Sequence, residues 1–250
     1  MSHTKIVHVP HLGGIDVAYQ MPNPFDKSKP TLVLVHGFTM SSEMYGTHFA
    51  SKYLGDKMNL LGIDVLGHGR TETKNETFTY WDTAIMNIQV MDALGITKAF
   101  VLGTSHGGWI SVRMYLIRPD RVEGIIPIGT CLDYESEHAH SLGCWDATAG
   151  CDALIDAWTS SVPTPDFELD DMYCNFAIDI DFGKDCSNET REFWKKAIKD
   201  SYRGDEGRRK VKMAAINLRD RDGLHGRLEY VRCPVLWLHV RGIQTSDSFS

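Results

Sequence analysis

The chain has 250 residues, of which 42% are hydrophobic, and this is enough to form one domain around a single core. Its 33 acidic residues outnumber the 26 basic ones and give a net charge of −7, which argues against a nucleic-acid partner. No stretch has the apolar length of a membrane span, and the N-terminus lacks the pattern of a signal peptide. We therefore expect an intracellular, cytoplasmic protein with no membrane partner.

The cysteines give no sign of a metal or redox site. All six lie outside any C-x-x-C pair, so we expect reduced thiols and no bound metal. A dinucleotide cofactor is also disfavoured, because "GTSHGG" lacks the G-x-G-x-x-G spacing and no other stretch supplies it. The sequence therefore predicts a protein without cofactor.

The first third of the chain alternates between strand and helix signals. Residues 5–19 alternate apolar and polar side chains around a Gly-Gly pair, which predicts a hairpin. The run "TLVLV" at 31–35 predicts a strand buried on both faces. A helix is predicted around 44–53, and a further strand at 59–64.

The same alternation continues to residue 129. Apolar residues at helical spacing predict a helix over 81–94, which Gly95 ends. A strand at 99–104, a helix at 107–118 and a strand at 122–129 follow. Strands that alternate with helices indicate βαβ units and a mostly parallel sheet with helices on both faces.

The pattern changes after residue 130 and divides the chain into three parts. Residues 1–130 form the N-terminal part of the core, and residues 131–228 form a mainly helical, aromatic-rich cap in which "MYCNFAID" alone has a strand signal. Residues 229–250 return to the core, with a last core strand at 234–239. The chain therefore reads as one sheet interrupted by a cap.

One short motif carries the chemistry. In "VLGTSHGGWI", Ser105 lies between a buried strand and a helix, with Gly103 and Gly107 on either side, as in a nucleophile elbow. The two glycines keep the tight turn free of side-chain clashes. The backbone N–H groups of His106 and Phe38 are predicted to form an oxyanion hole.

Several segments resemble the α/β-hydrolase superfamily, and within it a group of fungal hydrolases that includes members from toxin and secondary-metabolite gene clusters. They are "YWDTAIMNIQVMDALGI", "VLGTSHGGWI", "LGCWDA", "DGLHGRL" and "CPVLWLH". The resemblance runs from about residue 15 to residue 239, and those relatives commonly carry glutamine where this chain has His106. It implies an α/β-hydrolase fold and a small, hydrophobic ester, thioester or related acyl substrate.

The acid and base of a serine hydrolase are harder to place. In this fold the chain order is Ser, then Asp or Glu, then His. After His239 the chain reads "VRGIQTSDSFS", which contains Asp247 but no histidine. We interpret this ending as a retained intron or misplaced exon boundary that removes the last strand and helix, and we expect little activity from the chain as given. Asp133 is either a substitute acid or simply a polar residue that opens the cap.

The remaining candidates have two interpretations each. Trp145, Trp158 and Trp194 line an apolar substrate pocket or form the core of the cap. His36 is a pocket residue or, like His68, a hydrogen-bonding residue that shapes its loop. The side chain of His106 is a pocket wall or packing group rather than a base. Three further histidines are expected to be solvated or structural: His138, His140 and His225.

Several functions stay open on the sequence. The first is hydrolysis of an acyl substrate by Ser105, and the second is carbon–carbon hydrolysis or perhydrolysis on the same fold. Non-catalytic ligand binding is a third, and a gene-model fragment without function is a fourth. Haloalkane dehalogenases and soluble epoxide hydrolases are disfavoured, because both need an aspartate where Ser105 stands.

Overall fold

The computed structural model describes residues 4–239 of the chain. The strands are β1 (Lys5–Val9), β2 (Ile15–Gln20), β3 (Thr31–Val35), β4 (Asn59–Ile63), β5 (Glu72–Thr73), β6 (Ala99–Thr104) and β7 (Val122–Ile128). The α-helices are α1 (Gly46–Ala50), α2 (Lys52–Lys57), α3 (Tyr80–Ala93), α4 (His106–Ile117), α5 (Glu137–Ser141), α6 (Ala147–Ala157), α7 (Asp171–Phe182), α8 (Asn188–Ser201) and α9 (Gly204–Arg219). Short 3₁₀ helices lie at His11–Gly13, Ser42–Tyr45 and His225–Tyr230.

The strands form one mixed sheet in the order β1-β2-β4-β3-β6-β7, with β5 paired to β2. β1, β2 and β4 pair antiparallel, whereas β4, β3, β6 and β7 run parallel. All residues of β3 and β4 are buried, as expected for central strands covered on both faces. The carboxyl ends of β3 and β6 therefore meet at one edge of the sheet, where their following loops lie side by side.

Most of the predicted core elements are confirmed. The hairpin, the strands at β3, β4, β6 and β7 and the helices α3 and α4 all lie within two residues of their predicted positions. Thr79 and Asp82 form a capping box that starts α3, and Gly95 follows its end with φ +71°.

Two predicted elements differ in the structure. The helix expected around 44–53 is split into a 3₁₀ turn, α1 and α2, because extended Ser51 ends α1 and its hydroxyl caps Leu54 N at 3.3 Å. The strand signal in "MYCNFAID" is wrong, since these residues lie in α7. Asp170 caps this helix through Tyr173 N at 2.7 Å, and a helical apolar face overrides the local β-propensity.

The predicted strand at 234–239 lies along β7 but forms only two isolated parallel bridges, at Val235 and Leu238. Leu236 and Leu238 each donate a backbone N–H to a β7 carbonyl, at 3.0 and 2.9 Å. Pro127 of β7 has no N–H to return at the position between the bridges, so the ladder is interrupted there.

The helices α5 to α9 follow β7 and precede this last extended segment. α6 packs against α9, and α7 packs against α8. Their buried side chains join those of the sheet in one large apolar cluster, so these helices are fixed against the core. Among residues 4–239, no helix is both long and apolar enough to cross a membrane.

Candidate functional site

Ser105 occupies a strained turn between β6 and α4. Its backbone has φ +52° and ψ −117°, a conformation that non-glycine residues rarely adopt. The turn is held on both sides, because Ser105 N donates to Ile128 O at 2.8 Å and Thr130 Oγ1 donates to Ser105 O at 2.8 Å. The surrounding structure therefore fixes the position of this serine at the edge of the sheet.

The glycines of the turn are required by close backbone packing. A Cβ on Gly103 would collide with the carbonyl oxygen of Gly107, and a Cβ on Gly107 would collide with the carbonyl oxygen of Val35. Both obstacles are main-chain atoms that cannot rotate away. The pattern Gly-x-Ser-x-Gly is therefore a steric condition for bringing α4 so close to β3 and β6.

The two candidate oxyanion donors lie beside Ser105 on different elements. His106 is the first residue of α4, so its N–H has no acceptor in a preceding helical turn. Phe38 follows β3 in a tight turn, and the next residue, Thr39, has φ +58°. Phe38, Ser105 and His106 all border the same cavity.

A cluster of three buried imidazoles packs beneath this turn. The ring centroids of His36, His68 and His106 lie 4.9 to 5.9 Å apart. His36 accepts a hydrogen bond from Val65 N at 3.1 Å, and His68 Nδ1 pairs with Leu66 O at 2.9 Å. His36 therefore shapes its loop and does not line the cavity, contrary to its prediction as a pocket residue.

The cluster is uncharged. Burial lowers the pKa of His68 and His106 well below the ordinary histidine value, and each is lowered further by a neighbouring imidazole. Burial also lowers the pKa of His36, against the opposing field of Asp64. Neither ring nitrogen of His106 has a hydrogen-bond partner among residues 4–239. The ring is therefore a packing group, and it does not contact Ser105 as a base.

A cavity of about 370 Å³ opens above Ser105, between the sheet edge and the helices that follow β7. Of the tryptophans proposed to line it, only Trp145 does so. Trp158 packs edge-on against Tyr173, and Trp194 stacks on Phe182, both inside the helical layer. The pocket prediction for Trp158 and Trp194 is wrong, because their apolar faces point into the core.

The candidate acid Asp133 borders the cavity but is not paired with a histidine. Its carboxylate accepts a hydrogen bond from Ser136 Oγ at 2.6 Å, close to the start of α5. Among residues 4–239, no imidazole hydrogen-bonds the hydroxyl of Ser105. His239 borders the cavity without such a contact, and Asp247 lies outside the described residues.

His138 and His140 are exposed, as predicted, and His225, which was expected to be structural, is also exposed, at the start of a 3₁₀ helix. His140 pairs with Glu135 at 2.9 Å, and together with Asp146 they place potential ligand atoms within 4.8 Å of one another. Each carboxylate already accepts a backbone N–H, from Ala147 or Ala149, so local structure accounts for their positions.

Asp181 is a residue of this cavity that the sequence analysis missed. It lies near the end of α7, and burial raises the pKa of its carboxyl to about 7. A helical reading of "YCNFAIDID" could have found it, because Tyr173, Ala177 and Asp181 recur at intervals of four along one face. All three line the cavity.

Comparisons with known proteins agree with this architecture. Residues 30–148 match a family model described as the alpha/beta hydrolase fold. An esterase from Exiguobacterium antarcticum has a TM-score of 0.73 at 19% identity, over 92% of this chain and 79% of that one. An esterase from Thermogutta terrifontis has a TM-score of 0.70 at 19% identity, over 94% and 79%. The chain therefore has the α/β-hydrolase fold.

Sequence relatives are similar over somewhat less than half of the chain. An uncharacterized hydrolase, YugF, of Bacillus subtilis is 31% identical over 45% of this chain and 40% of its own length. Carboxylesterase YbfK of the same organism is 29% identical over 45% and 38%. The match thus spans about two fifths of these relatives' length. The sequence similarity to named hydrolases and esterases is thus partial, and the fold is what the comparisons establish.

Proposed function

We propose that this chain, with its α/β-hydrolase fold, uses Ser105 as a nucleophile toward a small, hydrophobic ester, thioester or related acyl substrate. The hydroxyl oxygen attacks the substrate carbonyl, and the N–H groups of Phe38 and His106 bind the oxygen that becomes negative. The alcohol or thiol then leaves with a proton, and water hydrolyses the acyl-serine. Ser105 is thereby restored.

The main support for this proposal is the position of the strained backbone conformations. Residues 4–239 contain four non-glycine residues with positive φ. Three of them, Thr39, Ser105 and Glu135, border the one cavity above the β6–α4 turn. Strain of this kind persists where the surrounding structure enforces it, and it concentrates at functional sites. It supports a site built around Ser105.

Substrate class and biological setting are inferred from the cavity and the sequence. Apolar and aromatic side chains such as Trp145, Leu154 and Phe176 line part of the cavity, and they can bind an acyl chain. A role in fungal secondary metabolism rests on the sequence resemblance alone and stays a prediction.

The general base and its carboxylate partner are not assigned to described residues. We expect the 250 residues by themselves to turn over slowly, since a site with oxyanion donors but an incomplete triad retains on the order of a 10³-fold rate advantage over water. Asp133 stays a candidate acid, and Asp133→Asn tests it by a further fall in rate.

The direct test is hydrolysis of p-nitrophenyl hexanoate and of hexanoyl thioesters by the purified chain. We expect slow release of p-nitrophenol or thiol that disappears in Ser105→Ala. The matched control is Ser111→Ala, which changes a buried serine on the same helix α4 whose hydroxyl donates to Gly108 O at 2.8 Å. Equal rates in the wild type and Ser105→Ala would contradict the proposal.

A second candidate is ligand binding without turnover. It is favoured by the lack of any imidazole paired with Ser105 among residues 4–239. Binding of an acyl ester whose affinity is unchanged in Ser105→Ala, with no product formed by either protein, would establish this candidate in place of hydrolysis.

A further inference from the structure

Asp181 brings a carboxyl group from the cap helix α7 to the loop that carries the candidate oxyanion donor. A Cβ on Gly37 would lie only 2.7 Å from Asp181 Oδ1, so the side chain rests directly on this loop. Phe38 is the next residue, and neighbouring Cα atoms are about 3.8 Å apart. The carboxyl group therefore lies close to the place where a substrate carbonyl would bind.

No described group satisfies this carboxyl. Two tyrosine hydroxyls on the surrounding elements are bonded elsewhere: Tyr45 OH donates to Val35 O at 2.7 Å, and Tyr173 OH contacts Thr39 Oγ1 at 3.2 Å. No hydrogen bond or ion pair joins the carboxyl of Asp181 to another residue of 4–239. Burial alone raises its pKa to about 7, with no cation offsetting the cost of ionisation.

A protonated carboxyl group without a partner can donate a hydrogen bond to a ligand. The protonated form carries one O–H donor, and the partly exposed Asp181 side chain borders the cavity, where a ligand can reach it. On the same face of α7, Tyr173 and Ala177 offer no second donor to the cavity, because the hydroxyl of Tyr173 is already engaged. An acceptor oxygen on the substrate would complete the site.

We propose that Asp181 is a specificity-determining residue whose carboxylic acid donates a hydrogen bond to a second oxygen on the acyl group, close to the scissile carbonyl. The cavity then selects 3-oxo or 3-alkoxy acyl esters over plain acyl esters of the same length. This inference rests on the proposed function, because it takes Phe38 N–H as the donor to the scissile carbonyl. It assigns to Asp181 a contact with substrate and no step in bond cleavage.

The test measures binding in the Ser105→Ala background, so that it does not depend on turnover. Methyl 3-oxooctanoate and methyl octanoate are titrated calorimetrically into three proteins at about pH 6, where protonated Asp181 predominates. The proteins carry Asp181, Asp181→Asn or Asp181→Leu. Asparagine keeps a hydrogen-bond donor of the same size and has no charge, whereas leucine keeps the volume and has no donor.

We expect the protein with Asp181 to bind the 3-oxo ester about fivefold more tightly than the plain ester, as one neutral hydrogen bond allows. Asp181→Asn should retain this preference, and Asp181→Leu should abolish it while still binding methyl octanoate. Thermal unfolding of each variant checks that the fold is intact.

Three results would overturn the inference. They are a preference that survives in Asp181→Leu, a preference lost in Asp181→Asn, and a failure of both esters to bind. The first assigns recognition to another residue, and the second means that a neutral donor at this position does not suffice to recognise the 3-oxo group. If the preference for the 3-oxo ester is found but the wild-type chain does not hydrolyse esters at Ser105, the nucleophile proposal is contradicted. The role proposed for Asp181 is then unaffected.

Discussion

The buried imidazole cluster should make the fold sensitive to acid. Burial lowers the pKa of His106 well below its ordinary value, which is the value it regains in the unfolded chain. As the pH falls below about 6.5, the unfolded state therefore binds a proton that the folded state does not. The free energy of unfolding consequently falls with falling pH, and this loss continues until the folded-state pKa is reached.

The size of the effect follows from the depth of burial. His106 is 2% exposed, so the cost of burying a charged ring outweighs the backbone of His36, which favours the proton. For each pH unit below about 6.5 in which only the unfolded state binds this proton, the free energy of unfolding falls by about 1.4 kcal/mol. His68 adds a similar amount.

Urea unfolding of the wild type and His106→Gln at about pH 7.5 and about pH 5 measures this contribution. The variant should lose less stability between the two pH values than the wild type does, by about 1.4 kcal/mol for each pH unit in which the folded wild type stays neutral at His106. Titratable groups that both proteins share contribute equally to both pH dependences and cancel in the comparison. Asp181 is one of them, and its raised pKa makes the free energy of unfolding rise as the pH falls.

The exposed His138 supplies the matched control, because His138→Gln makes the same exchange at the surface of the protein. Equal losses in the wild type and His106→Gln would refute the reasoning, since they would mean that His106 accepts a proton in the folded state as readily as in the unfolded state.

Two further changes test the packing of the site. Gly107→Ala places a methyl group against Val35 O and should lower the free energy of unfolding by about 3 kcal/mol. Gly46 has open space around it, so Gly46→Ala should change the free energy of unfolding little. Similar urea midpoints for the two variants would contradict this. Asp181→Asn should raise the free energy of unfolding by up to about 4 kcal/mol at about pH 8, where the carboxyl is ionised, because its pKa of about 7 lies roughly three units above the ordinary value; the gain should vanish near pH 4, and a pH-independent difference would count against the raised pKa.

The strands and helices around Ser105 were predictable because local and tertiary requirements coincide there. The run "TLVLV" reads as a strand since β3 is buried on both faces and needs an apolar residue at every position. Gly103 and Gly107 mark the turn because main-chain contacts exclude any Cβ. In both places the tertiary requirement is visible in one short segment of the sequence.

The cavity wall was less predictable, because it depends on how the later helices dock. Periodicity predicts that Trp158 and Trp194 are buried, but it does not distinguish a core-facing ring from a cavity-facing one. Asp181 was missed for a related reason. Its segment was taken for a strand signal, which hides its shared face with Tyr173, and its approach to Gly37 arises only from tertiary packing.

The central claim, that Ser105 is the nucleophile, is tested most directly by covalent labelling. The purified chain is incubated with an excess of a fluorophosphonate, which phosphonylates an activated serine, and the intact mass and the modified peptide are then determined. Because no base is assigned among residues 4–239, the account predicts slow labelling that reaches one adduct per chain, on Ser105, and no adduct in Ser105→Ala. An adduct on a different serine, or an unmodified Ser105 in the folded protein, would contradict it.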